Sequence, residues 1–220
     1  MPELSEVAEF WMNWAVQLAV ALGTVGAVVV AVAGDYIRGK CFPPKLSIEI
    51  ADSAGELTSM HLTYYDTATD TQIVRTEDAR FYRLRVTNEQ RWSPVKHAQG
   101  ILVRIEKPAE DGRLISTWTS DVPIQWKHQT SIPAPRTIGP PSEIDLCAVV
   151  KGKWLQLNPL FKPLNIQDQY RGPTTLVLSV LVQADEYDTP VVRVKVSWDG
   201  GWHDGTHEMR DHFNIAILPN

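Results

Sequence analysis

Residues 14 to 33 read Trp-Ala-Val-Gln-Leu-Ala-Val-Ala-Leu-Gly-Thr-Val-Gly-Ala-Val-Val-Val-Ala-Val-Ala, with no charge and only Gln17 and Thr24 as polar side chains. Twenty residues at about 1.5 Å rise make about 30 Å of helix, the thickness of a bilayer's hydrocarbon core. A soluble helix of that length shows a polar stripe, and this one has none. The stretch is predicted to be a single transmembrane helix. It divides the chain into an N-terminal segment and helix (1–40), a Pro-Pro linker (41–45) and a β domain (46–220). Because Pro43 and Pro44 fix φ and stop a helix, the linker is expected to be short and stiff and to keep the domain near the membrane.

Charge sets the expected direction. Glu3, Glu6 and Glu9 precede the span without Lys or Arg, whereas Arg38, Lys40 and Lys45 follow it. The positive-inside rule places the N-terminus outside and the C-terminal side in the cytoplasm. Arg38, Lys40 and Lys45 are the expected contacts with anionic lipid, at about 1 kcal/mol each. Ala31-Val32-Ala33 resembles a signal-peptidase site, but the acidic start and long apolar run fit an uncleaved anchor.

Small residues recur every four positions at Ala15, Ala19, Gly23, Ala27 and Ala31, a row that lets two membrane helices approach closely. Asn13, Gln17 and Thr24 cluster on a second face. The helix is therefore expected to pack against a second copy or another membrane protein.

The remainder is long enough for one domain with its own core. A net charge of −5 argues against a nucleic-acid partner, and two cysteines, Cys41 and Cys147, make neither a disulfide framework nor a zinc site. Alternation predicts strands at Leu46–Ile50, Met60–Tyr65, Phe81–Asn88, Ile101–Ile105, Val122–Trp126, Glu143–Val150, Val192–Trp198 and Phe213–Ile217. Thr174–Gln183 is apolar on both faces and is expected to be a central strand. Residues 109–113 read as a turn, and the prolines at 133, 135, 140 and 141 as an extended surface stretch. No helix is expected after residue 40. Seven to nine strands with Gly, Pro, Asn and Asp turns predict an antiparallel β-sandwich.

Tyr82–Asn88, a loop, and Ala98–Ile105 resemble the paired strands of bacterial immunoglobulin-like adhesion-type domains. Trp198-Asp-Gly, Glu208-Met209 and His212 resemble uncharacterised bacterial membrane-anchored proteins with one helix and one such sandwich. The resemblance implies an immunoglobulin-like fold in a bacterial inner-membrane protein. It implies no activity, and the cytoplasmic direction inferred above departs from the extracellular setting of adhesion domains.

One segment is dense in catalytic residue types: Trp198 to His212 holds His203, His207 and His212 with Asp204, Glu208 and Asp211 between them. On a helix, His203 and His207 would share a face as zinc ligands do, although the Glu of a His-Glu-x-x-His motif is misplaced. These three histidines are the candidate metal ligands, against a plain reading as a polar hairpin loop. Cys147 with His97, His128 or His203 is a weaker nucleophile candidate, since Leu146 and Ala148 mark the cysteine as core. Arg83, Arg85, Arg104, Arg193 and Lys195 would form a basic sheet face if their strands were neighbours. No phosphate loop or nucleophile elbow is present. The expected role is an interaction or scaffold subunit without cofactor or catalysis, its β domain binding a protein partner. The alternatives are a metal-dependent hydrolytic domain or a periplasmic ligand-binding sandwich.

Overall fold

The computed structural model describes residues 4–41, 43–66, 70–90, 93–129, 135–185 and 187–219, with the side chains of 4–10, 32, 35–41 and 66 outside that description. The chain divides into two compact units, Met1–Pro44 and Lys45–Asn220. The first is one helix, α1 (Leu4–Cys41). Its stretch Trp11–Ala31 is long and apolar enough to cross a membrane. The Thr24 hydroxyl donates to the Val20 carbonyl at 2.9 Å, which satisfies a polar group within the helix itself. The described helix runs to Cys41, one residue into the stretch expected to be linker.

The second unit is mainly β. It runs through β1 (Leu46–Ile50), β2 (Glu56–Asp66), β3 (Thr71–Asn88), β4 (Val95–Pro108), β5 (Leu114–Pro123) and β6 (Arg136–Ile138). It continues through β7 (Ser142–Val150), β8 (Trp154–Leu157), β9 (Gln169–Tyr170), β10 (Thr174–Gln183), β11 (Val192–Trp198), α2 (Thr206–His212) and β12 (Phe213–Leu218). Two antiparallel sheets result. One has the order β1-β3-β7-β8-β9 with β2 also on β3, and the other β12-β11-β10-β4-β5 with β6 also on β4.

The inward side chains of both sheets form one core. Tyr82, Leu84, Val86, Ile144 and Leu155 from the first sheet join Ile105, Leu176, Leu178, Val180, Val194 and Val196 from the second. Tyr82 stacks on Phe213 with ring centroids 3.6 Å apart, a contact worth about 1 kcal/mol beyond its buried area. As its two-sided pattern predicts, β10 is central, with Val177 and Ser179 buried on the opposite face to Leu176 and Leu178. Cys147 is wholly buried in β7, and burial pushes its thiol pKa up. It is a core residue, and His97 is held instead by Asp185 at 2.5 Å.

Several sequence expectations are corrected. The polar stretch before Phe81 is strand: β3 begins at Thr71 and pairs with β2 in an unbroken register from Glu56↔Phe81 to Asp66↔Thr71. The expected strand Val122–Trp126 is instead the end of β5 followed by isolated bridges at Ile124 and Trp126. In β4 a bulge between Leu102 and Arg104 breaks the alternation, so Ile101, Leu102 and Ile105 are all buried. A short helix, α2, occupies residues expected to be a loop; seven residues are too few to show periodicity. Of the expected proline-rich surface stretch, residues 130–134 lie outside the described residues.

The expected basic sheet face does not form. Arg83 and Arg85 are on β3, whereas Arg104, Arg193 and Lys195 are on β4 and β11 of the other sheet. Carboxylates neutralise four of the five: Arg83 pairs with Asp145 and Glu56, Arg85 with Glu49 and Glu143, and Glu106 lies between Arg104 and Arg193.

Register defines two ends of the domain. Lys45 enters beside Glu89, 2.6 Å from its carboxylate, next to the pair Leu46↔Asn88. At the opposite end β4 finishes, β10 begins and β11 leads into α2. The β7–β8 turn Lys151-Gly152-Lys153 also lies there, with Lys151 on Asp204 and Lys153 on Glu77. Gly55 in the β1–β2 loop has φ +72°, and a Cβ there would sit 2.8 Å from the Tyr82 ring and 2.9 Å from Arg80 Cγ. Gly55→Ala is expected to cost about 2 kcal/mol or more, read as a lowered urea midpoint at unchanged slope.

Candidate functional site

A cavity of about 640 Å³ opens at the end of the domain opposite Lys45. Cross-strand pairing supplies part of its lining, because Thr175 lies opposite Ser197 and Ser197 opposite Asn214. These three short polar side chains come from β10, β11 and β12. Lys107 and Pro108 line it from the end of β4, Pro173 from the turn before β10, and Asp211 and His212 from the last turn of α2. The Thr175 hydroxyl donates to Ser197 Oγ at 3.2 Å.

Asp199 organises the charged side of the cavity. Its Oδ1 accepts the Gly201 N–H at 2.7 Å, and its Oδ2 lies 2.9 Å from His212 Nδ1. The Trp198 indole N–H donates to the Gly201 carbonyl at 2.7 Å, which fixes the same turn from the core side. A Cβ at 201 would lie 2.3 Å from His212 Nδ1, so any larger residue there displaces the imidazole from Asp199. His212 and the Gly201 N–H hold the Asp199 carboxyl below the usual carboxylate range. Lys107 is engaged elsewhere: its Nζ donates to Gln167 Oε1 at 3.2 Å and sits 4.6 Å from the centroid of the Tyr170 ring. The site therefore offers hydroxyls, an amide, an oriented imidazole and carboxylates to a polar partner group.

The three histidines named from the sequence go to different neighbours. His212 holds Asp199; His203 Nδ1 accepts the Gly205 N–H at 3.0 Å and lies 3.8 Å from Glu208; His207 is exposed on α2. Among the described residues no three His, Cys, Asp or Glu side chains are grouped to hold a metal ion. On the helix, Asn13, Ala15, Gln17, Ala19, Gly23, Thr24, Ala27 and Ala31 are all exposed. The side chains of Arg38 and Lys40 lie outside the described residues, and Lys45 is paired with Glu89. Sequence reading did not find Thr175, Ser197, Asp199 or Asn214, which only the strand register brings together. A local signal did exist for Asp199, because Asp-Gly-Gly directly after a strand marks a side-chain-capped turn.

Comparison with protein-family models, with curated proteins and with solved structures gives no match.

A carboxyl whose folded pKa is depressed contributes stability above its unfolded pKa and loses it as pH falls through the folded value. The stability difference between wild type and His212→Ala is therefore expected to shrink below the ordinary aspartate range. Carbon-detected NMR titration should show the Asp199 carboxyl moving up toward that range in His212→Ala. An unchanged titration would remove the imidazole as the cause.

Proposed function

We propose that the chain is a single-pass, membrane-anchored interaction subunit of the bacterial inner membrane, without catalysis of its own, whose cytoplasmic β domain docks a protein partner at the cavity lined by Thr175, Ser197, Asp211 and Asn214. The observation that carries this reading is the position of the cavity: the chain enters the domain at Lys45, and the cavity lies at the other end of the strands. The apolar stretch Trp11–Ala31 supports the anchor, and the Lys/Arg bias after it supports the cytoplasmic direction. The row from Ala15 to Ala31 supports self-association or a membrane-protein partner through the helix.

Two antiparallel sheets around one shared core support an immunoglobulin-like sandwich. Within the two six-stranded sheets, β1-β3-β7-β8 and β4-β10-β11 can be laid on the four-plus-three arrangement of that family, with β2, β5, β6, β9 and β12 additional to it. The order differs in one respect. The strand beside β3 is β7, the earlier of the β7–β8 pair, whereas the immunoglobulin order places the later strand there.

A reporter fused after Asn220 is expected to be active only in the cytoplasm; periplasmic activity overturns the direction. A photoreactive residue at Asn214 in the full chain is expected to give one discrete protein adduct in membranes. With that protein purified, Asp211→Lys is expected to weaken binding at least tenfold, about 1.4 kcal/mol. Unchanged affinity would place the contact elsewhere.

A further inference from the structure

β2 is paired on one side only. Its eleven register pairs with β3 run without a shift, and among the described residues no strand lies on its other edge. The outer part of this ribbon also extends past the sheet, because β7 joins β3 only from Ala79 onward. An open edge carries a row of unpaired N–H and C=O groups, which natural proteins blunt with charges, prolines or bulges. Residues 57–65, Leu-Thr-Ser-Met-His-Leu-Thr-Tyr-Tyr, contain none of these. β5, at the edge of the other sheet, shows the contrast. Its register slips opposite Ile105 and Glu106, and Thr117 turns its hydroxyl onto the Ile105 carbonyl at 3.1 Å.

We infer that β2 pairs antiparallel with β2 of a second copy of this chain, with His61 on the two-fold axis. The pattern of β2 is self-complementary about that residue. Leu57, 47% exposed, falls opposite Tyr65 of the second copy, 60% exposed, and the two-fold repeats the contact. Ser59 falls opposite Thr63 on the same face; Met60 meets Leu62 and Thr58 meets Tyr64 on the other. No like charges are opposed between 57 and 65. At the ends Glu56 comes opposite Asp66, and the Glu56 carboxylate is already held by Lys127 at 2.8 Å and by Arg83. The pairing satisfies the open edge and covers the exposed Leu57 and Tyr65 in one step. It stands independently of the partner docking proposed at the cavity.

The test uses the full chain in nanodiscs, with Cys41→Ser to remove the cysteine at the end of α1; Cys147 is buried and stays. Opposed residues of an antiparallel pair have Cα atoms about 4.5–5.5 Å apart, within disulfide reach. His61→Cys is expected to give a disulfide-linked dimer on mild oxidation. Leu57→Cys is expected to crosslink to a Tyr65→Cys chain and not to itself. His61→Lys, which sets two cations face to face at an exposed site, is expected to weaken dimerisation at least tenfold by light scattering, with the circular dichroism spectrum unchanged. Gly23→Leu, which disrupts the small-residue row of α1, is expected to leave the His61→Cys crosslink in place. The inference is overturned by a monomeric chain, by a crosslink at 61 without the 57–65 pair, or by a dimer that survives His61→Lys and is lost with Gly23→Leu.

Discussion

Arg80 holds the cavity end of the domain together. It lies on β3 in step with the core residues Tyr82 and Leu84 and is 1% exposed. Its guanidinium donates to the carbonyls of Ala54 and Gly55 at 3.2 and 3.1 Å, and to that of Asp204 at 2.7 Å. Among the described residues no carboxylate pairs with it. Burying a cation is costly unless its donors find acceptors; backbone carbonyls of two separate loops take Nη1 and Nη2, while Nε has no partner among the described residues. The β1–β2 loop and the turn that carries Asp204 are thereby fastened to one strand of the first sheet. Both β2 and the charged side of the cavity begin from those loops, so one side chain ties their starting points together.

The regular parts of the fold were legible because their chemistry is local. β10, β11 and β12 announce themselves by alternation or by two-sided apolarity, and Cys147 by its apolar neighbours. Legibility failed where a strand lacks a buried face. The ribbon of β2 and the outer half of β3 is largely exposed, so threonine, serine and charge dominate it; only Met60–Tyr65 of β2 reads as strand, and residues 71–80 of β3 do not. β5 failed for the same reason, with Trp118 and Val122 its buried side chains.

The cavity and the arginines were opaque for a different reason. Thr175, Ser197 and Asn214 are scattered along the chain, and only the register of β10, β11 and β12 makes them neighbours. Arg83 and Arg104 look alike on paper, yet they belong to different sheets. Arg83 is drawn into a buried pair with Asp145. Burial raises the Asp145 pKa even though Arg83 opposes it, so the pair fixes the match between β3 and β7 more than it adds to stability.

The turn Lys151-Gly152-Lys153 has a mechanical consequence. Gly152 takes a left-handed conformation, φ +65°, which turns the chain tightly between its two lysines. Lys151 grips Asp204 at 2.8 Å, on the loop beside the cavity, and Lys153 grips Glu77 at 2.5 Å, on the ribbon. The turn is thus a two-pronged clasp, one residue wide, between a loop that flanks the cavity and a ribbon whose outer strand, β2, is paired on one side only.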